Sequence, residues 1–178
     1  IVVGNGGEYV VTGVLEKTTD AAISSIYAGS QGWKDASAGG VFKAGTFNVT
    51  AGSMGLDGNN AACETHWYIG AGGMNASGSG FFYNYFADDR TYIHPWKSDF
   101  ALSAGSTAPG DLYIGGNNGT GGTIIFVTDD EDGVSRTITI DGKVACREAV
   151  KGASHIEIAG SGKVQWNSAS AFYGNVAV

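Results

Sequence analysis

Three histidines are the side chains of this sequence best suited to metal binding or acid–base chemistry. His66, His94 and His155 are separated by 28 (94 minus 66) and 61 (155 minus 94) residues, and none belongs to an HExxH motif or to another pair four residues apart. A zinc site would therefore have to be assembled from distant parts of the chain. We expect no catalytic or metal-binding role for the histidines.

Paired carboxylates are the next candidates, because a glycoside hydrolase needs two of them at a defined separation. Four acidic residues lie on or near predicted strands, namely Glu16, Glu64, Asp99 and Glu157. A β domain of this size normally has several such residues, and no two of these form a distinctive pair. We identify no catalytic residues and predict that the protein is not an enzyme.

The run Asp129-Asp130-Glu131-Asp132-Gly133 is the densest cluster of charge in the chain. Its carboxylate oxygens could hold Ca²⁺, with Asp129, Asp130 and Asp132 as ligands. The run lacks the D-x-[DN]-x-[DN]-G spacing of a dedicated calcium loop, so a solvated turn between two strands is the favoured interpretation. We predict no cofactor, with Ca²⁺ as the alternative.

Aromatic residues are concentrated between positions 81 and 96. In an extended strand, alternation would place Phe82 and Phe86 on one face and the intervening aromatic residues on the other. The candidate aromatic patch comprises Phe81, Tyr83, Tyr85, Tyr92 and Trp96. Such a patch could stack on sugar rings or form a subunit contact, and packing of both faces in the core is the third interpretation.

The composition predicts a single all-β domain spanning residues 1–178. Of the 178 residues, 43% are hydrophobic and 15% charged, with 30 Gly and 2 Pro. This length suits one domain with a core, and many glycines with few charged residues are typical of strands joined by tight turns. The net charge of −7 argues against partners such as nucleic acid or an anionic membrane surface, because both require basic patches.

Several features favour an extracellular or cell-surface protein. The sequence has no run of 18 apolar residues, so we expect no membrane-spanning helix. It begins at Ile1 without Met or a basic leader, as a processed secreted chain would. Cys63 and Cys146 form an even pair that is typical of a disulfide in such a chain, with two buried free thiols as the alternative.

Three sequons would accept N-glycans in a secretory pathway that has the transferase. Their asparagines are Asn48, Asn75 and Asn118. A chain this rich in Asn, Ser and Thr is also expected to contain two or three sequons by chance.

Alternating apolar and polar residues predict strands along most of the chain. The predicted strands lie at 8–16, 41–52, 65–72, 111–116, 122–130, 135–146, 154–160 and 162–166. Gly-Gly, Asp-Gly, Asn-Gly and Gly-Ser pairs between them are typical of tight turns, and only 18–29 is a candidate helix. We predict an all-β fold, a β-sandwich or jelly roll, with a short right-handed β-helix as the alternative.

Two similar seven-residue segments, here called the echo, bear on the choice between a β-sandwich and a β-helix. FNVTAGS at 47–53 and FALSAGS at 100–106 begin 53 residues apart (100 minus 47). A coil of a β-helix usually has half that length or less, so the echo is interpreted as a shared preference for strand and turn rather than as a structural coil.

The last third of the chain, from Gly122 onward, resembles a known family. SRTITIDGKV at 135–144, followed by IEIAGSGKVQWNSASAFYGNVAV at 156–178, is similar to the autotransporter-associated β-strand repeats of bacterial surface proteins. The Gly-rich middle of the chain also resembles a surface-protein module. The family pattern normally recurs many times and here it occurs once, so the resemblance implies either one module of a longer polypeptide or a protein continued by copies of itself.

The N-terminal segment 1–17 is a candidate exchangeable strand. EYVVTGVLEKT at 8–18 is apolar at alternate positions and follows the Gly-rich segment 4–7. The apolar positions of this assembly strand are Ile1, Val2, Val3, Tyr9, Val11 and Val14. A strand after a flexible hinge can fill an open sheet edge of the next subunit, and such head-to-tail contacts propagate into a fibre. The alternative is that the strand pairs within its own sheet.

Two functions follow from the sequence. In the first, the protein is a structural subunit of an extracellular fibre or cell-surface assembly and polymerises with copies of itself through strand exchange or edge pairing. In the second, it is a carbohydrate-binding β-sandwich that binds glycans through the aromatic patch. The first is preferred because of the resemblance to surface-repeat proteins and because the sequence contains no compact polar ligand constellation.

Overall fold

The computed structural model describes residues 2–3, 7–19, 27–28, 40–56, 64–84, 90–115, 121–146, 153–168, 172 and 174–178. Within these ranges the chain forms sixteen β-strands and no helix. The strands are β1 (Val2–Val3), β2 (Glu8–Thr18), β3 (Tyr27–Ala28), β4 (Val41–Ala51), β5 (Ser53–Gly55), β6 (Glu64–Ala76), β7 (Phe81–Asn84), β8 (Arg90–Pro95), β9 (Phe100–Ser103), β10 (Leu112–Ile114), β11 (Thr123–Val127), β12 (Thr137–Ile140), β13 (Val144–Cys146), β14 (His155–Ala159), β15 (Lys163–Trp166) and β16 (Asn175–Ala177). The all-β prediction is confirmed.

All pairings between these strands are parallel. Parallel neighbours cannot be joined by a tight hairpin, so the chain must travel around the molecule before each new strand. The result is a parallel β-solenoid, which fits the β-helix alternative. The β-sandwich or jelly-roll prediction was wrong, because the Gly-rich turns form the corners of coils instead of antiparallel hairpins.

The coils stack their strands into three faces. The first face contains the N-terminal halves of β2, β4 and β6, followed by β8, β11, β14 and β16. The second face contains the C-terminal halves of β2, β4 and β6, followed by β9, β12 and β15. The third face contains β5, β7, β10 and β13. The long strands therefore bend across two faces, and later coils replace each of them with two short strands.

The core consists of side chains stacked in columns, one from each coil. On the first face the column is Tyr9, Phe42, Trp67, Ile93, Phe126 and Ile158. On the second it is Leu15, Phe47, Met74, Leu102, Ile140 and Trp166, and on the third Met54, Phe82, Leu112 and Val144. Most of these side chains are fully buried, and burial of each large apolar side chain stabilises the fold by about 1.5–3 kcal/mol.

Glycine occupies the corner at which the long strands pass from the first face to the second. A Cβ atom on Gly70 would lie 2.8 Å from the Cα atom of Gly45 in the preceding coil, and one on Gly45 would lie 2.7 Å from the carbonyl oxygen of Thr12. Two coils can therefore approach this closely only where both residues lack a side chain.

The coils differ in length, which hides the repeat. The stretch of chain from Val41 to its partner His66 is shorter than the stretch from Arg90 to its partner Thr123. The echo of FNVTAGS and FALSAGS spans two coils of the second face. Phe47 pairs with Met74, which in turn pairs with Leu102, whereas the echo aligns Phe47 with Phe100. The echo is therefore out of structural register.

Candidate functional site

Four aromatic and imidazole rings form a cluster, here called the ring ladder, on the outer side of the first face. β6 supplies His66 and Tyr68, and β8 supplies Tyr92 and His94 in matching register. His66 stacks on Tyr92 with ring centroids 4.7 Å apart, and Tyr68 stacks on His94 at 4.4 Å. The two stacks are joined by a hydrogen bond of 3.0 Å between His66 Nδ1 and His94 Nε2.

Cations cover further ring surfaces of the ladder. Lys43 Nζ lies 4.8 Å from the ring centroid of Tyr68, and the Arg90 guanidinium lies 5.9 Å from that of Tyr92. Tyr68 thus lies between a cation and an imidazole, and Tyr92 has His66 and Arg90 as ring neighbours. Because a sugar stacks on an open ring face, the ladder is poorly suited to carbohydrate stacking.

Burial and positive neighbours keep the histidines of the ladder neutral. The pKa of His94 falls to about 4, first because burial disfavours its charged form and then because His66 and Lys43 oppose a further positive charge. Burial also lowers the pKa of His66, against the opposing charge of Glu64. Two neutral imidazoles can share the single hydrogen bond between them, one as donor and one as acceptor.

An ion pair and a hydrogen bond flank the ladder. Arg90 in β8 reaches across β11 to Glu157 in β14, with Nη2 and Oε2 2.7 Å apart, and Tyr92 donates its hydroxyl to Glu64 Oε1 at 3.3 Å. These groups are substantially exposed, and a surface ion pair such as that of Arg90 and Glu157 contributes about 0–1 kcal/mol. The two contacts are suited to fixing side-chain positions on β6, β8 and β14 rather than to stabilising the core.

Glu131 anchors the acidic turn against the first face. Its carboxylate accepts hydrogen bonds from Lys43 Nζ at 2.8 Å and from Trp96 Nε1 at 3.1 Å, and Lys97 Nζ lies 3.5 Å away. Lys43 also pairs with Glu8 at 2.9 Å. Hydrogen bonds from Lys43 lower the pKa of the Glu131 carboxyl despite partial burial.

Two of the three predicted calcium ligands, Asp129 and Asp130, have protein partners for their carboxylates. Asp130 accepts hydrogen bonds from the backbone of Asp132 and Val134 and from the Arg136 guanidinium at 2.8 Å. Asp129 accepts hydrogen bonds from Ser161 and Ser135, and the hydrogen bond from the Ser161 hydroxyl lowers the pKa of its carboxyl most. In the described ranges no group of three or more His, Cys, Asp or Glu residues could hold a metal ion. The calcium prediction therefore gains no support.

The predicted aromatic patch is divided between faces. Phe81 and Tyr83 lie on β7 of the third face, with ring centroids 6.2 Å apart. Phe82 between them is fully buried, and Tyr83 is buried as well, at 7% exposure. Tyr92 belongs to the ring ladder on the first face, and Trp96 follows β8. Tyr85 lies outside the described residues. The described members of the patch do not form one continuous platform.

The predicted covalent sites receive little support. Cys146 is a buried free thiol in β13 and Cys63 lies outside the described residues, so the disulfide is not supported. Asn48 and Asn75 are neighbours near the C-terminal ends of β4 and β6, where the Asn75 amide donates to Asn48 Oδ1 and to Gly72 O at 3.0 Å each. A glycan on Asn75 would replace one N–H of that amide nitrogen, so only one of the two hydrogen bonds could remain. Asn118 lies outside the described residues, and glycosylation stays a prediction.

The predicted assembly strand is part of the solenoid's own sheet. β2 pairs in parallel with β4 along its length, which matches the alternative of pairing within one sheet. Tyr9 and Val11 of this strand pack against the core, and Val14 is exposed. Val2 and Val3 form β1, which pairs with β3. Ile1 lies outside the described residues.

Apolar side chains are exposed on β2 and β16. On β2, Val10 is 49% and Val14 55% exposed, and both lie on the outward side of the strand. On β16, Val176 is 55% exposed and follows Ile156 in an inward column. Val164 of β15 packs against the core and is half-buried.

The ring ladder was missed in the sequence. A signal for the ladder exists, since Thr65-His66-Trp67-Tyr68-Ile69 and Thr91-Tyr92-Ile93-His94-Pro95 carry ring residues at the same two positions and pair residue for residue.

In comparisons with known proteins, no family model, no curated protein and no solved structure matches the chain. The resemblance to autotransporter-associated repeats therefore stays a prediction. Within the described part of the chain, no helix is long and apolar enough to cross a membrane.

Proposed function

We propose that the chain is a structural β-solenoid module of an extracellular fibre or cell-surface assembly, and that it joins copies of itself by parallel edge pairing. The observation that carries this proposal is the parallel stacking of the described strands into three faces, in which each coil extends the sheets by one strand at their edges. Val176 of β16 continues the inward column of Ile124 and Ile156 and is 55% exposed.

An open sheet edge is a template for another strand. It presents a row of backbone N–H and C=O groups in the spacing of a parallel ladder, and another edge of the same polarity can satisfy both. The stability of a solenoid is a sum of contacts between neighbouring coils, so a coil from another copy stabilises the end coil as an intramolecular one would. Contacts between two different ends do not close and so build a filament.

Edge pairing is favoured over exchange of the N-terminal strand. β2 already forms a long parallel ladder with β4, and Leu15 in its second half is buried. Removing β2 from its own sheet would break that ladder and expose Leu15, whereas pairing along its outer edge costs neither. The extracellular location continues to rest on the sequence, through its resemblance to bacterial surface repeats.

Electron microscopy and sedimentation velocity of the purified, non-denatured chain test the proposal. We expect filaments or a concentration-dependent series of oligomers for the unaltered chain, and their loss in Val176→Lys. The matched control is Val134→Lys, which places the same charge at a valine of similar exposure on the turn between β11 and β12. A monodisperse monomer at every concentration, or assembly that Val176→Lys leaves intact, would overturn the proposal.

A further inference from the structure

We propose that the chain contains a binding site for a carboxylate group, here called the carboxylate clamp. Its donors are Lys43, Trp96 and Lys97, and Glu131 of the same chain occupies it as an internal ligand. Its external ligand is a glutamate side chain of an acidic polypeptide, which displaces Glu131. The clamp is independent of the proposed assembly, because its first donor lies on β4, which is paired on both sides within the solenoid.

Both oxygens of the Glu131 carboxylate have donors of their own. Lys43 Nζ donates to Oε2 at 2.8 Å, Trp96 Nε1 donates to Oε1 at 3.1 Å, and Lys97 Nζ lies 3.5 Å from Oε1. Charged donors on both oxygens select an ionised carboxylate. A side-chain amide has only one acceptor oxygen, so it can replace only half of these contacts.

Contacts with other residues hold the donors in place. Lys43 Nζ pairs with Glu8 Oε1 at 2.9 Å and lies 4.8 Å from the ring centroid of Tyr68. Partial burial would lower the pKa of Lys43, but its hydrogen bonds to two carboxylates raise it, so the amine is charged. The backbone N–H of Trp96 donates to Ile69 O at 2.7 Å. The donors are therefore positioned by contacts that do not depend on the internal ligand.

The acidic turn also holds its shape without the Glu131 side chain. Asp130 Oδ1 accepts hydrogen bonds from the backbone N–H groups of Asp132 and Val134 at 3.0 and 2.9 Å. Asp130 Oδ2 accepts one from Arg136 Nε at 2.8 Å. Truncating Glu131 should therefore leave both the turn and the donors in place, and so open the clamp.

The clamp can be reached from solvent and attracts anions once it is open. The Lys97 side chain is 63% exposed and that of Glu131 25%. Without the Glu131 carboxylate, the charges described at the clamp are the two cations Lys43 and Lys97 and the carboxylate of Glu8. This local excess of positive charge lies in a chain of net charge −7. Such complementarity favours an acidic partner at this one place on the surface.

The occupant in the structure indicates the class of partner. It is a glutamate side chain presented by a turn of sequence Asp-Asp-Glu-Asp-Gly, so the clamp already binds a glutamate of an acidic peptide segment. Because Glu131 belongs to the same chain, it acts at a high local concentration. An external peptide must compete with it, and Glu131 therefore limits the affinity of the clamp.

Nuclear magnetic resonance of the Trp96 indole N–H tests the clamp, because that proton donates directly to the carboxylate. In Glu131→Ala, acetate should shift this resonance saturably, and sodium chloride at equal ionic strength should not. Adding Lys97→Met should weaken acetate binding about three-fold, and this exposed position should leave the fold intact. The matched control is Asp132→Ala, which removes a carboxylate from the next residue and should leave the unaltered chain's lack of response.

A folded Glu131→Ala without a saturable response to acetate, or with an equal response to chloride, would overturn the clamp. If Glu131→Ala does not fold, Glu131→Gln is titrated in the same way, and an absent response there has the same meaning.

A blocked peptide of the turn sequence tests the partner. It should bind Glu131→Ala about five-fold more tightly than the same peptide with Gln in place of Glu, and it should bind the unaltered chain about ten-fold more weakly. Equal affinity for both chains would show that Glu131 does not occupy the clamp. Tighter binding of glucuronate than of the peptide would overturn the assignment to an acidic polypeptide in favour of an acidic sugar.

Discussion

His66 and His94 meet edge to edge on neighbouring coils of the solenoid. Nδ1 of His66 lies 3.0 Å from Nε2 of His94, and their ring centroids are 5.3 Å apart. The centroid separation is close to the N···N distance plus the two ring radii, so the imidazoles are joined in line through a hydrogen bond. A second proton between them would leave two donors facing each other and no acceptor.

The first prediction is a loss of stability as the pH falls from about 6.5 toward 4. The pKa of His94 is about 4 in the folded chain and about 6.5 in an unfolded one. Between these values the unfolded chain binds more protons, so the stabilisation is complete above pH 6.5 and declines toward pH 4. Urea unfolding at intervals between pH 8 and 4 should show a decrease of at most about 3 kcal/mol.

His94→Phe separates this effect from general acid destabilisation. Phe can stack on Tyr68 but cannot take up a proton, so the slope of stability between pH 6.5 and 4.5 should shrink. Carboxylates with a lowered pKa, such as Glu131, lose their contribution only below about pH 4.5 and serve as an internal reference. An unchanged slope in His94→Phe would contradict the assignment.

The second prediction concerns the glycine corner. Gly70→Ala should destabilise the chain by about 1–3 kcal/mol, because its Cβ would lie 2.8 Å from the Cα and carbonyl oxygen of Gly45, which are backbone atoms. Gly13→Ala is the matched control, since a Cβ there meets nothing within 4 Å. It should be neutral or stabilising by about 0.4–1 kcal/mol. Denaturant titration of both variants measures the difference, and equal losses would show that packing at the corner is not the cause.

Many strand positions could be predicted from the sequence, but β7, β8, β9 and β16 were missed and the partners of the strands could not be predicted. The predicted strands 8–16 and 154–160 correspond to β2 and β14, because alternation reports which side chains face a core. Alternation does not report whether the neighbouring strand is parallel or antiparallel. Asp141-Gly142 was interpreted as part of one strand, and instead the chain turns there from β12 on the second face to β13 on the third.

The ring ladder could not be predicted for the same reason, because it depends on which strands are neighbours. His66 and Tyr92 are 26 residues apart in the sequence (92 minus 66), and the similarity of their two five-residue segments does not by itself show that the segments pair. They stack because a parallel register places every residue beside its equivalent in the next coil. Corner segments of different lengths remove the fixed period that would have revealed this register.

The third prediction concerns Glu131, which links the acidic turn to Lys43, Lys97 and Trp96. Glu131→Gln should lower the free energy of unfolding by about 0.5–1 kcal/mol, because a neutral amide keeps a hydrogen bond but loses the attraction to two cations. The loss should shrink in 1 M salt.

Asp132→Asn is the control for Glu131→Gln, because it removes the same charge from an exposed position one residue further along the turn. Its effect on stability should be small at every salt concentration. If both variants cost the same, net charge rather than the contacts of Glu131 would be responsible.

The fourth prediction is that Cys146 is a thiol in the folded protein. It lies in β13 beside Ile114, is buried, and is free in the structure. A disulfide with Cys63 would close a loop of 84 residues (146 minus 63, plus 1), and would stabilise the chain by roughly 4–5 kcal/mol in the chain-entropy model. A reductant should therefore leave the melting temperature unchanged if the thiol is free.

Maleimide added without reductant should label Cys146 rapidly in denaturant and slowly in buffer, because burial blocks access in the native state. A peptide pair linked through residues 63 and 146, together with a melting temperature that falls by several degrees on reduction, would show that the two cysteines are joined.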